Sequence, residues 1–162
     1  MIKVFGAAVL TAGVLSVGVL ASGLWAVGPL AAEENNESKH AVEYRQAVMA
    51  AIGGHTGSIA RIARQQVPYD HILPHAEAIA TTAPLVDDIW PDHSKPTDYE
   101  RTDALESIWD ERDEFQARID RFKEAADAFA VAAGSGDMAE IMPAFQQLGE
   151  SCSACHDDYR AE

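Results

Sequence analysis

Two cysteines and a histidine lie close together near the end of the chain, in the pattern Cys152-x-x-Cys155-His156. These are the only two cysteines of the protein, so their spacing carries most of the chemical information. A redox dithiol normally begins a helix, where the helix dipole lowers the thiol pKa, but this pair falls at the C-terminal end of a predicted helix. Structural zinc would need two further ligands at characteristic spacing, and the other histidines are scattered.

Covalent attachment of haem explains the pattern best. On a helix, Cys152 and Cys155 project from one face, so each thiol can form a thioether with a haem vinyl group, and His156 can reach the iron from the same side. The cysteines share the inward-facing stripe of their helix, which predicts that the haem lies in the core. A helical bundle without haem, with a disulfide between the cysteines, is the remaining alternative; such a small loop would stabilise the domain very little.

Residues 1–32 have the composition of an export segment. Lys3 is their only charged residue, and a long uncharged run follows before the chain becomes polar at Glu33. A basic start, an apolar stretch and small residues near its end are typical of a cleaved signal. The run also reaches the roughly 20 residues that span a bilayer. The sequence therefore predicts an export signal or an N-terminal membrane anchor, and either one places residues 33–162 in the periplasm.

The exported part is strongly acidic. The whole chain has 26 acidic and 12 basic residues, which gives a formal net charge of −14. This charge argues against nucleic acid and anionic lipid as partners, and the membrane is a partner only if the N-terminal segment is retained. It favours a partner protein with a basic face, or simple solubility.

The first two amphipathic stretches follow residue 37. An apolar stripe from Val42 to Ala63 predicts one helix, with Ser38 as its N-cap. A second helix is predicted from Asp70, and Pro84 should kink or split it. A polar connection that contains prolines then leads to the second half of the chain.

The last two stretches complete a bundle. The third has Ile108, Phe115, Phe122 and Phe129 seven residues apart, which is the spacing of a bundle seam. The fourth should begin with a capping box of Asp137 and Glu140 and contain the haem motif, with a distortion or a later start caused by Pro143. No useful length alternates with period two. The sequence therefore predicts an all-α fold, an antiparallel up-down-up-down four-helix bundle that encloses one haem c.

At these residues the sequence resembles the cytochrome c prime family and its low-spin relatives, over essentially all of residues 38–160. The resemblance implies a haem c between the helices, often in a homodimer, with His156 as the proximal iron ligand. The stretches that carry it are "AVEYRQAVMAAIGGHTG", "VPYD", "ESIWDERDEF" and "FQQLGESCSACHDDYR".

The resemblance does not determine whether a protein ligand binds the distal side of the iron. In many members an apolar residue of the first helix blocks that face and leaves five-coordinate iron that binds NO or CO, whereas a methionine binds the iron in the low-spin relatives. Aligning "YRQ" places Met49 at this position, and periodicity also places Met49 on the inward stripe. Ordinary filling of the core is the alternative role for Met49. His55 is a competing ligand, but it should point elsewhere because it lies about 240° further round the helix.

Three more residues are assigned to the haem by the resemblance. Arg45 would approach a haem propionate with help from Gln46, and Arg160 would lie beside the imidazole of His156. Surface arginines that balance an acidic chain are the alternative. Together these features predict an exported electron-transfer cytochrome, not an enzyme, with His156 and Met49 as axial ligands. A five-coordinate protein that binds NO or CO is the alternative function.

Overall fold

The computed structural model describes residues 29–162, with side chains described from residue 36 onward, and it is mostly helical. The only β-type pairing in this part of the chain is an isolated antiparallel bridge between Ala104 and Arg160. Short 3₁₀ turns at Ala83–Asp87 and Asp92–Ser94 follow the second helix. The α-helices are α1 (Pro29–Ala63), α2 (Ile72–Thr82), α3 (Ser107–Asp110), α4 (Arg112–Ser135) and α5 (Met138–Tyr159).

Helices α1, α2, α4 and α5 form the four-helix bundle that the sequence predicts. Helix α4 packs along α5 and α2, and α2 packs along α1, whereas α1 and α5 are not among the closely packed pairs. The apolar stripes of the four helices meet in one core, and its largest fully buried side chains include Ile59, Ile79, Ile108, Phe129 and Leu148. The gap between α1 and α5 is the feature of the fold that positions the site described below.

The first helix begins earlier than the sequence indicates. Helix α1 begins at Pro29, so the prediction that Ser38 caps its N-terminus is wrong. Ser38 is a buried residue within the helix. Residues 1–28 lie outside the described part of the chain, and the export signal or membrane anchor stays a prediction. Among the described residues, no helix is both long and apolar enough to cross a membrane.

The two prolines act differently on their helices. Pro84 follows the end of α2 and lies in the 3₁₀ turn, which confirms the predicted split. Pro143 lies inside α5, but the helix runs on without interruption from Met138, so the expected late start is wrong. The carboxylate of Asp137 accepts a hydrogen bond from the backbone N–H of Ala139, as an N-cap should.

An ion pair joins the 3₁₀ turn after α2 to α4. The Lys123 Nζ donates to Asp87 Oδ2 at 2.8 Å, and both side chains are about 30% exposed. Mainly because of this hydrogen bond, the pKa of Asp87 lies below its usual value. Folding therefore favours the carboxylate, so the stabilisation is present above the unfolded-state pKa of about 3.9 and is lost as the pH falls through the lower, folded-state pKa.

Replacing Asp87 with asparagine should remove this dependence on pH. We expect the free energy of unfolding to fall by about 0.5–1 kcal/mol at neutral pH, and its decline below about pH 4 to become shallower. Urea denaturation of the haem-loaded protein over a series of pH values measures both effects. Asp88→Asn is the matched control, since Asp88 is exposed and forms no ion pair with another described residue. Equal pH profiles for the two variants would contradict the assignment.

Candidate functional site

A cavity of about 520 Å³ opens between α1 and α5. Its wall is mainly apolar and includes residues of both helices, of α4 and of the connection that precedes α3. The volume falls within the range of about 300–1,000 Å³ that is usual for sites of cofactors and small ligands. All seven residues that the sequence assigned to the haem line this one cavity, namely Arg45, Gln46, Met49, Cys152, Cys155, His156 and Arg160.

The two cysteines lie on the α5 side of the cavity, as their helical spacing predicts. Both thiols are half-buried and are not bonded to each other. Burial raises the pKa of Cys152, and it raises the pKa of Cys155 to about 11. The thiols are therefore protonated near neutral pH, which is the opposite of what a redox dithiol requires.

His156 follows the cysteines on the same wall and is half-buried. Burial, and then the positive charge of Arg160, lower its pKa, so the ring is neutral at physiological pH. The Arg160 Nη1 lies 3.3 Å from His156 Nδ1, so Arg160 stands beside the imidazole as the resemblance implies. Arginine has only donors, so Nδ1 accepts in this contact. A neutral imidazole is the form of histidine that binds a metal.

Met49 lies on the opposite, α1 side of the cavity and is half-buried. Gly53, one turn further along α1, also lines the cavity, and an added Cβ there would meet no heavy atom within 4 Å. His55 is absent from the cavity wall, and its Nδ1 instead lies 2.8 Å from Nδ1 of His75 on α2. The helical rotation that turns His55 away from Met49 is therefore as the sequence predicts.

Arg45 lines the cavity and is almost fully buried, with 3% of its surface exposed. Its guanidinium donates to Ser94 Oγ and Thr102 Oγ1, both at 2.9 Å, and makes longer contacts to the carbonyl oxygens of Ser94 and Ile89. It also lies 4.7 Å from the ring centroid of Trp90. Burial lowers its pKa to about 10, so it stays charged. No carboxylate of the described residues forms an ion pair with it.

Gln46 also lines the cavity and binds the segment that precedes α3. Its side chain is exposed, and Nε2 donates to the carbonyl oxygen of Arg101 at 2.9 Å. Arg45 and Gln46 thus tie α1 to consecutive residues of the segment before α3. Ser94 and Thr102 were not predictable as partners of Arg45, because both lie in a polar stretch that has the composition of an ordinary connection.

Two cavity residues of α4 and α5 were not singled out from the sequence. Arg118 lines the cavity beside Cys155, and its Nη2 pairs with Asp158 Oδ2 at 2.7 Å. Tyr159 is buried against the cavity, and its hydroxyl lies 3.2 Å from the Glu111 carboxylate. Only the fold brings Glu111 to the hydroxyl of Tyr159, because the two residues are 48 positions apart in the chain.

These residues fit a covalently bound haem. The cavity provides two protonated thiols and a neutral imidazole on one side, and its lining is mainly apolar. A buried guanidinium without an acidic partner at the rim is suited to an anionic group of the ligand. Within residues 36–162, no three His, Cys, Asp or Glu side chains converge to hold a bare metal ion, so zinc has no ligand set here. A metal carried by a porphyrin needs only one or two ligands from the protein.

Comparison with known proteins agrees with the fold and the site. A family model described as Cytochrome C' matches residues 40–160. A cytochrome c' of Pararhodospirillum photometricum is 33% identical over 120 residues, covering 74% of this chain and 94% of the relative. A cytochrome c-556 of Agrobacterium tumefaciens is 34% identical over 119 residues, covering 74% and 95%. The solved structure of a cytochrome c' from Rhodobacter spheriodes has a TM-score of 0.71 at 30% identity and covers 77% of this chain and 98% of that one.

The four-helix bundle and its Cys-x-x-Cys-His cavity define a c-type haem protein. The family model matches residues 40–160, which include most of α1, all of the later helices and the Cys-x-x-Cys-His motif. The chain belongs to the cytochrome c' family and binds one covalently attached haem c.

Removing the Arg45 guanidinium should destabilise the bundle. In Arg45→Met, Ser94 and Thr102 lose their buried donor, and we expect the free energy of unfolding to fall by about 2–4 kcal/mol. Gln46→Ala is the control, because its single bond is exposed, and it should cost less than about 1 kcal/mol. Denaturant titration of the haem-loaded proteins compares the two. Equal losses would mean that the buried network around Arg45 contributes little.

Proposed function

We propose that this protein carries electrons in the periplasm, with His156 and Met49 as the two axial ligands of its haem iron. The observation that carries the proposal is that Met49 on α1 and His156 on α5 line one cavity, in the gap where these two helices are not closely packed. In this arrangement Cys152 and Cys155 attach the porphyrin from the α5 side. Bound haem would supply the one-electron chemistry, and the protein would supply the axial ligands, the covalent attachment and the charges around the haem.

The protein groups around the iron site suit electron transfer. His156 is held neutral by burial, so in the tautomer with its proton on Nδ1 the other ring nitrogen, Nε2, would offer its lone pair to the iron. In that tautomer Nδ1 would no longer accept from Arg160. The thioether of Met49 is uncharged, and His/Met ligation raises the reduction potential of the iron. With both axial positions filled, no exogenous ligand needs to bind or leave when the oxidation state changes.

The three remaining predicted residues would tune and orient the haem. The buried charge of Arg45 favours a nearby anion, and a haem propionate is the candidate. Both terminal nitrogens of Arg45 already donate to protein oxygens, so its Nε–H is the group that remains for a direct bond. Gln46 supports the same rim, and Arg160 makes the surroundings of His156 more positive.

The second candidate function is capture of NO or CO by five-coordinate iron, with Met49 merely filling the distal side. It is supported by the family, because one similar solved structure is a nitric oxide complex of a mutant cytochrome c prime from Alcaligenes xylosoxidans. That structure has a TM-score of 0.69 and is 28% identical, and it covers 77% of this chain and 97% of the other. The two functions differ in one bond, that between Met49 and the iron.

The acidic surface supports the choice of partner. The chain carries 26 acidic against 12 basic residues, and Asp157 and Asp158 are exposed directly after His156. We propose that this surface meets the basic face of a redox partner through a small and transient interface. Association of two copies as a homodimer remains part of the proposal, and the oligomeric state in solution tests it.

Optical spectra of the purified protein test the proposal. If Met49 binds the iron, the oxidised protein has a low-spin spectrum with a methionine–iron charge-transfer band, and the reduced protein reacts little with CO. A high-spin spectrum that changes readily when CO is added would overturn Met49 ligation and support gas binding. Intact-mass measurement of the same sample gives the covalent haem and the position of the mature N-terminus.

A further inference from the structure

Three arginines line the haem cavity, although the chain as a whole is strongly acidic. They are Arg45 on α1, Arg118 on α4 and Arg160 directly after α5, and among the described residues Asp103 is the only carboxylate in the same wall. Within the part of the chain that the structure describes, Arg118 alone of the three forms an ion pair with a carboxylate. Arg118 is therefore the cavity cation whose effect a neighbouring charge can offset.

The ion pair between Arg118 and Asp158 has its positive partner at the cavity. Arg118 Nη2 donates to Asp158 Oδ2 at 2.7 Å, and the two side chains are 31% and 48% exposed. Arg118 lines the cavity, whereas Asp158 is not part of its wall and is the more exposed of the two. The nearer of two opposite charges acts more strongly, so the pair leaves a positive potential inside the cavity.

The charge of Arg118 also acts on the haem attachment site. Burial raises the pKa of the Cys155 thiol to about 11, and the positive charge of Arg118 opposes this rise more strongly than the negative charge of Asp158 adds to it. In the haem-loaded protein the Cys155 sulfur is bonded to the porphyrin, so a charge that acts on this sulfur also acts on the adjacent edge of the haem. Reduction adds an electron to the haem, and a nearby positive charge stabilises that electron.

We propose that Arg118 raises the reduction potential of the haem and that Asp158 limits this effect. The proposal rests on the proposed electron-transfer function only for the use of that potential, and not on whether Met49 binds the iron. A unit charge about 10 Å from a redox centre, at an effective dielectric constant between about 20 and 80, changes the ratio of oxidised to reduced centre by about two- to fifteenfold at a fixed applied potential. An effect of this size is measurable.

Redox titration of the haem-loaded protein and its variants tests this role. Arg118→Gln should lower the potential and Asp158→Asn should raise it, each by at least about a twofold change in the ratio of oxidised to reduced haem. Arg118→Lys keeps the positive charge and should stay close to the unmodified protein. Arg121→Gln and Asp127→Asn are the matched controls, because they make the same changes of charge at exposed positions of α4 that do not line the haem cavity.

The directions of the two shifts separate an effect of charge from a structural role. If the ion pair only fastened α4 to α5, loss of either partner would loosen the same contact, and both variants would shift the potential in the same direction. Shifts in the same direction, no shift, or control variants that shift as far as Arg118→Gln would overturn the proposal.

Optical spectra of the same samples complete the test. Each variant should keep the spectrum of the unmodified protein, because Arg118 and Asp158 do not bind the iron. A changed spectrum would show that the axial ligation has moved, and it would overturn an effect of charge alone. Whether Met49 binds the iron is measured on the unmodified protein, so failure of that ligation and failure of the role of Arg118 are distinguishable.

Discussion

Replacing Met49 with leucine should convert a low-spin, six-coordinate haem protein into a high-spin, five-coordinate one that binds CO. Leucine and methionine have similar volumes, and such an exchange in a packed site usually costs less than about 1.5 kcal/mol. The fold should therefore survive while the thioether ligand disappears. The reduction potential should fall as well, because loss of methionine ligation removes a factor that raises it. Optical spectra with and without CO, and a redox titration, measure both changes.

Met142→Leu is the matched control for this exchange. Met142 lies on α5, is exposed, and does not line the cavity. Its replacement should leave the spectrum, the CO reactivity and the potential unchanged. If the Met49 variant also has the spectrum of the unmodified protein, Met49 is not a ligand and the electron-transfer proposal loses its basis.

Replacing both Cys152 and Cys155 with alanine should abolish the covalent bond between chain and haem. Under denaturing conditions the unmodified protein should keep its haem, whereas the double variant should release it and have the mass of the bare chain. The cavity of about 520 Å³ is then filled only by reversible binding or by solvent. Where the double variant has lost its haem, the free energy of unfolding should fall by about 4 kcal/mol, because a tightly bound cofactor stabilises the folded state by about that amount.

Ser153→Ala provides the control for the cysteine variants. Ser153 lies between the two cysteines but is exposed and is not part of the cavity wall. Its replacement should leave haem retention and stability unchanged. Covalently bound haem in the double variant would show that another residue forms the attachment, against the assignment of both cysteines.

The helices were predictable because each buries an apolar stripe with helical spacing. The exception is the start of α1, where the polar stretch before Val42 has no such stripe and Ser38 resembles an N-cap. In the structure Ser38 is buried within the helix, a position that local sequence cannot indicate. At Pro143 a later start or a distortion of α5 was expected, but α5 runs from Met138 without interruption although proline cannot donate a helical hydrogen bond.

The site was predictable where one helix supplies its residues. Cys152, Cys155 and His156 share a face of α5 by spacing alone, and Met49 lies on the inward stripe of α1. Contacts between distant segments were not predictable, because nothing local in Arg45 indicates that Ser94 will accept from it. The same reason hides the contact of His55 with His75, which depends on how α1 packs on α2.

X-ray absorption at the iron edge tests the central claim most directly, because it counts the atoms bound to the metal. The account predicts five nitrogen ligands, four from the porphyrin and one from His156, together with one sulfur from Met49. The sulfurs of Cys152 and Cys155 are bonded to the porphyrin and do not bind the iron. The iron-bound sulfur should be absent in Met49→Leu. A coordination shell of nitrogen alone in the unmodified protein, or a sulfur that persists in Met49→Leu, would contradict the account.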